Sequence, residues 1–249
     1  MRTRTYENEQ ATVQAIRNAK SFLRDAQPED TFVLFIAGHG VHDKDDAATY
    51  YFLTHETDTR RLSQTAASFE LIEDLLRGIA PRQKLFLMDT CESGEANEAG
   101  YASQLAVPEG LGVKARGLVL VKQGAQRPAP RTDIAVHRPP HVFERDRYIY
   151  NDLLRRTGAV VLSASFGGEP SFERDDLQNG LFTAEVLRVL SDVASDQNAD
   201  GVISTLELRQ LVAQGVAARS RGAQNPTVDR DNIYARFGFE AVTPTAAGR

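Results

Sequence analysis

Lys84-Leu85-Phe86-Leu87-Met88-Asp89-Thr90-Cys91-Glu92-Ser93-Gly94 is the stretch that decides the fold. Its apolar run leads into the only cysteine of the chain. A second apolar run, Phe32-Val33-Leu34-Phe35-Ile36-Ala37, ends in Gly38-His39-Gly40. Both runs have the pattern of strands buried on both faces, as in a parallel sheet covered by helices. Each delivers one catalytic residue type at its C-terminal end. A thiol needs a base to form thiolate near neutral pH, and imidazole is the usual one. Sites in parallel α/β sheets lie at those strand ends.

Outward from these two runs, strand and helix patterns alternate. Val13, Ile16 and Leu23 recur at helical spacing within 9–25, before Pro28. Tyr50 to Thr54 is a shorter strand. Phe69, Ile72, Leu75, Leu76 and Ile79 form one helical face, closed by Pro81. Tyr148 to Leu154 is helical in pattern. Ala159 to Ser165 is a third buried strand, and Leu181–Val193 and Leu206–Ala218 are apolar-striped helices. The alternation predicts an α/β fold, a three-layer α/β/α sandwich with a mostly parallel central sheet. The stretch 95–147 breaks the pattern with five prolines and several glycines, and the tail 243–249 has no order signal.

Composition narrows the function classes. A formal net charge of -5 argues against non-specific nucleic-acid binding. One cysteine excludes an intramolecular disulfide and points to a reducing compartment, the cytoplasm. No apolar stretch approaches a membrane span, and no apolar region follows Met1-Arg2-Thr3-Arg4 to make a secretory signal. With one cysteine and no paired histidine spacing, a zinc site is not expected. The chain lacks a Gly-x-Ser-x-Gly elbow, which argues against a serine hydrolase.

His39 lies upstream of Cys91 in an order and spacing that resemble caspases. Phe35-Ile36-Ala37-Gly38-His39-Gly40 is similar to the histidine motif of the caspase-like cysteine peptidases. Asp89-Thr90-Cys91-Glu92-Ser93-Gly94 resembles the Asp-x-Cys-x-Ser-Gly motif of the metacaspase branch of peptidase family C14. Val161 to Ser165 resembles the strand that opens the small-subunit-like half, and Gly180-Leu181-Phe182-Thr183 the helix start that follows it. The resemblance spans about Asp30 to Phe239.

The resemblance implies an endopeptidase with Cys91 as nucleophile and His39 as general acid/base. It implies an oxyanion hole from the N–H groups of Gly40 and Cys91, which suits the charge that sulfur attack places on a carbonyl oxygen. It implies that Asp89, with Ser163 and Ser165, binds substrate, Asp89 receiving an arginine or lysine before the cleaved bond. The bland alternative makes Cys91 a small buried hydrophobe and His39 an ordinary strand-end histidine. A second functional reading is a catalytically impaired module that binds a partner.

The resemblance also divides the chain. Residues 1–94 match a large-subunit-like part and 148–242 a small-subunit-like part, together one peptidase domain over 1–242. Between them, 95–147 is a linker. Its Lys114, Arg116, Lys122, Arg127 and Arg131 offer sites for self-processing, with a flexible insertion as the equal alternative. The family's first strand and helix are expected to be missing, so the domain is expected to be N-terminally truncated with an open sheet edge. Such an edge invites a partner or a homodimer.

Asp196-Gln197-Asn198-Ala199-Asp200-Gly201-Val202-Ile203-Ser204-Thr205-Leu206-Glu207 fits the 12-residue EF-hand pattern. Oxygen ligands for calcium come in that reading from Asp196, Asn198, Asp200, the Val202 carbonyl, Ser204 and Glu207. The competing reading is a helix–loop–helix in which Ser204 or Thr205 caps and Glu207 complements the helix dipole. The peptidase chemistry itself requires no cofactor.

Overall fold

The computed structural model describes residues 1–43, 49–90, 113–116, 157–165, 171–174, 176–228 and 237–241. Thr12 decides where the first α-helix begins. Its backbone is extended and its hydroxyl accepts the Ala15 N–H, so α1 (Val13–Ala19) starts behind a side-chain cap. The single helix expected over 9–25 is therefore three pieces: a 3₁₀ turn at Asn8–Gln10, α1, and a second 3₁₀ turn at Lys20–Leu23.

The apolar runs then form the sheet. β1 (Thr31–Gly38) leads to the short β2 (Gly40–His42), β3 (Tyr50–Phe52), α2 (Leu62–Thr65) and β4 (Ala67–Ser68). α3 (Phe69–Leu76) follows, capped by Ser68, and β5 (Gln83–Thr90) returns to the sheet. The helical face read to Ile79 stops earlier because Arg77 is extended and Gly78 is left-handed, with φ of 67°. Beyond lie β6 (Lys114–Arg116), β7 (Ala159–Ser163), β8 (Ser171–Arg174), β9 (Asn179–Gly180) and α4 (Leu181–Ser191). β10 (Val202–Ser204), α5 (Thr205–Arg219), β11 (Thr227–Val228) and β12 (Gly238–Glu240) complete the described elements.

The central sheet has the order β1-β5-β7-β11. β1, β5 and β7 are mutually parallel and β11 is antiparallel to β7. Side-chain alternation splits the core into two layers. Phe86, Met88, Ala159 and Val161 face α1 and α3, meeting Ile72, Leu76, Val13 and Ile16. Leu85, Leu87, Val160 and Leu162 face α4 and α5, meeting Leu181, Phe182, Val186, Leu208 and Val212. This is the expected α/β/α sandwich.

β1 departs from the expectation of a strand buried on both faces. Phe32, Leu34 and Ile36 pack on the α1 side. Val33 and Phe35, on the opposite face, are 40% and 45% exposed. The cause is position: among the described residues β1 has β5 on one side and no strand on the other, and α4 and α5 cover β5 and β7. No strand precedes β1 among the described residues. Lys114 and Arg116, expected in a loop, lie in β6, which pairs with β8. The remainder of 95–147, the helical pattern at 148–154 and the tail 243–249 lie outside the described residues.

Two buried polar groups hold elements together. Lys84 Nζ donates to the Leu76 and Thr157 carbonyls, tying the end of α3 to the start of β7. The Gln224 side chain donates to the Ala164 carbonyl at 2.8 Å and accepts the Phe172 N–H at 2.9 Å.

Candidate active site

The parallel register of β1 on β5 pairs Ala37 with Asp89 and Gly38 with Thr90. Gly38 and Thr90 are the residues immediately before His39 and Cys91. The residues that precede the two candidate catalytic positions are therefore level on adjacent strands, and paired strands stand about 4.8 Å apart. His39 is exposed, and its carbonyl accepts the Leu53 N–H at 2.9 Å. That bond anchors the turn into β2. Cys91 itself lies outside the described residues.

Gly40 is buried, and its lack of a side chain is required by contact rather than by backbone angle. A Cβ there would lie 2.9 Å from Tyr50 Cε1 and nearer still to the phenol carbon and oxygen. The Tyr50 hydroxyl is 2.9 Å from Thr90 Oγ1. Tyr50 carries no motif signal in the sequence beyond its place in a strand, and this contact could not be found there.

Asp89 is fully buried at the C-terminal end of β5. Thr183 Oγ1 donates to its Oδ2. Thr183 sits in the first turn of α4, whose N-cap Gly180 supplies no side-chain cap. The carboxylate thus stands at the positive end of a helix, a place that favours negative charge. On the neighbouring strand Ser163 pairs with Met88. Ser163 Oγ donates to the Ser165 carbonyl at 3.3 Å, and both serines are buried. The three residues expected to bind substrate are therefore gathered at the ends of two adjacent strands.

The acidic loop 196–207 runs into β10, which pairs with β12 rather than with the central sheet. Its carboxylates are turned onto backbone N–H groups. Asp196 accepts from Asp200 and Gly201, and Asp200 accepts from Val202. Glu207 accepts the N–H groups of Gln197, Asn198 and Ser204 and the Ser204 hydroxyl. Burial alone raises the Glu207 carboxyl, but these hydrogen bonds outweigh it and hold its pKa below the ordinary range. Ser204 in turn caps α5, completing a capping box. Among the described residues, no three His, Cys, Asp or Glu side chains converge to hold a metal ion. The capping box is the one the competing helix–loop–helix reading calls for.

The model of the caspase domain family, Peptidase_C14, matches residues 2–237. The chain belongs to that family, whose members are cysteine peptidases acting on proteins. The match begins at residue 2, so it includes the helical segments ahead of β1 and not only the part from Asp30 onward. No curated protein matches the chain. No helix among the described residues is long and apolar enough to cross a membrane.

Proposed function

We propose that the chain is a cytoplasmic cysteine endopeptidase that cleaves proteins after arginine or lysine. The observation that carries this reading is the pairing of Gly38 with Thr90, the residues that immediately precede His39 and Cys91 in the chain. His39 takes the thiol proton, and the Cys91 sulfur attacks the scissile carbonyl. The oxygen becomes negative and is held by the N–H groups of Gly40 and Cys91. His39 then returns the proton to the leaving amine, and water hydrolyses the thioester with His39 as base. Asp89, buried at the ends of β5 and β7 with Ser163 and Ser165, supplies the charge that selects a cationic side chain.

The test is labelling with a thiol-directed peptide probe and positional scanning of peptide substrates. Labelling of Cys91 that disappears in His39→Ala supports the dyad. Labelling that survives in His39→Ala overturns it and favours the partner-binding module. Loss of preference for arginine in Asp89→Ala supports the pocket; an unchanged preference sinks it. Self-processing within 95–147 predicts that wild type, but not Cys91→Ala, resolves into two bands. Lys114 and Arg116 are not the favoured cut sites, because they are paired in β6.

Calcium at 196–207 requires Glu207 to give up its N–H donors for the ion. Calorimetric titration of wild type and Glu207→Gln decides it; no heat at millimolar calcium leaves the loop a capped turn.

The edge at β1, unpaired among the described residues, favours a second copy of this chain. β1 carries no charge and no proline, so two copies meet without repulsion. An antiparallel pairing centred on Leu34 keeps each face matched and sets Val33 against the partner's Phe35. Sedimentation over a concentration series should show a dimer that Phe35→Lys abolishes; a wild-type monomer at every concentration refutes it.

A further inference from the structure

Tyr50 stands between the two strand ends that carry the proposed dyad. It is 4% exposed and belongs to β3, not to either of those strands. β3 pairs antiparallel with β2, setting His42 opposite Tyr50 and Gly40 opposite Phe52. From there the ring of Tyr50 passes beneath the backbone of Gly40, so closely that a side chain at Gly40 has no room. Its hydroxyl reaches Thr90 Oγ1 at 2.9 Å. Thr90 is fully buried, so this bond has no competition from bulk water. The ring is locked from behind by Phe52, edge-on with centroids 5.1 Å apart. Phe52 in turn packs on Phe69 and Phe86.

One rigid side chain thus touches the residue after His39 and the residue before Cys91. We propose that Tyr50 is a positioning residue for the oxyanion hole: it fixes Gly40, whose N–H is one proposed donor, against Thr90, the residue before Cys91. The proposal rests on the dyad reading above. The phenol ring acts as a spacer under Gly40, and the Thr90 hydrogen bond fixes where the end of β5 stands relative to it. Tyr50 does not touch the reacting atoms, and it needs no titration to act. Its effect falls on the step in which negative charge develops on oxygen, because donors aimed at that oxygen must be placed before the reaction begins.

Two reactions at the same sulfur separate this role from a structural one. Alkylation of Cys91 by iodoacetamide is a displacement at carbon that needs thiolate but no oxyanion hole. Peptide cleavage needs both. In Tyr50→Phe, which keeps the ring and loses the Thr90 bond, kcat should fall roughly tenfold, a fraction of the loss from deleting a donor outright. KM should stay within about twofold, and so should the alkylation rate, because neither depends on the hole. Thr90→Val should reproduce the loss, Thr90→Ser should restore most of it, and the double variant Tyr50→Phe/Thr90→Val should be no worse than either single change.

If wild-type Cys91 is alkylated no faster than in His39→Ala, the dyad reading fails and the role of Tyr50 fails with it. If alkylation is His39-dependent but kcat is unchanged in both Tyr50→Phe and Thr90→Val, the dyad stands and the positioning role is refuted. A parallel fall of alkylation and kcat also refutes it, because Tyr50 would then act on the thiol or the fold.

Discussion

Gly215→Ala should lower stability in the wild type and raise it once Glu185 is removed. Gly215 is inside α5, where alanine ordinarily gains about 1 kcal/mol over glycine. Here a Cβ would lie 2.5 Å from Glu185 Cδ and 3.0 Å from Cγ, and closer still to Oε2. A flexible carboxylate at a surface would swing away. Glu185 cannot do so freely: it is 1% exposed, Arg188 Nε donates to Oε2 at 2.7 Å, and Arg219 Nε donates to Oε1. Forcing a methyl group into a filled site costs about 1–3 kcal/mol. Disturbing a paired, buried carboxylate adds to that. The clash therefore exceeds the helix gain, and the net loss should be about 1–2 kcal/mol. In a chain of this size that lowers Tm by about 2–8 °C.

In Glu185→Ala both arginines, 41% and 36% exposed, can turn to solvent. The methyl group then meets vacated space, and Gly215→Ala should recover about 1 kcal/mol. Urea unfolding of the four proteins of this cycle reads the change of sign directly. An effect of the same sign in both backgrounds refutes the claim that two arginines fix Glu185 against Gly215.

Three further outcomes follow from groups already described. Lys84→Met should cost about 1–3 kcal/mol, because the Leu76 and Thr157 carbonyls lose their buried donor; chemical denaturation checks it. Burial also lowers the Lys84 pKa, so the unfolded chain holds that proton more tightly and stability should rise with pH just below the ordinary lysine range. That rise should be absent in Lys84→Met. The lowered Glu207 pKa acts in the same sense in the acid range: its contribution is present above the ordinary carboxylate range and lost as pH falls through the lowered value. Acid titration of the unfolding midpoint should show a loss in wild type that Glu207→Gln lacks. Ser68→Ala removes the acceptor for the Leu71 N–H at the start of α3 and should cost about 1 kcal/mol in Tm-derived stability.

The three-layer fold was legible because β5 and β7 are uninterrupted apolar runs separated by helical patterns. β1 was misjudged for a physical reason. An edge strand and a central strand of equal hydrophobicity look alike in one dimension, and nothing polar at Val33 or Phe35 marks their exposure. Thr12 splits the first helix through one side-chain hydrogen bond, a local competition that apolar periodicity does not register. At the site, His39 and Asp89 were legible as strand-end residues. The level at which their strands align was not, because register is a property of the pair. The partnership of Asp89 with Thr183 crosses 94 positions. Both residues lay in recognised motifs, yet only the folded chain joins them. Tyr50 was invisible for a further reason: its role depends on the side chain that Gly40 lacks.

Gln224 works as a clamp between two strands. Its amide holds the Ala164 carbonyl with one end and the Phe172 N–H with the other. Ala164 and Phe172 are thus both held by one side chain from elsewhere in the chain. Gln224 therefore fixes the end of β7 and the start of β8 relative to each other from a third point in the chain. For a peptidase designer, that makes Gln224 the residue to leave alone whenever the neighbourhood of Ser163 and Ser165 is rebuilt.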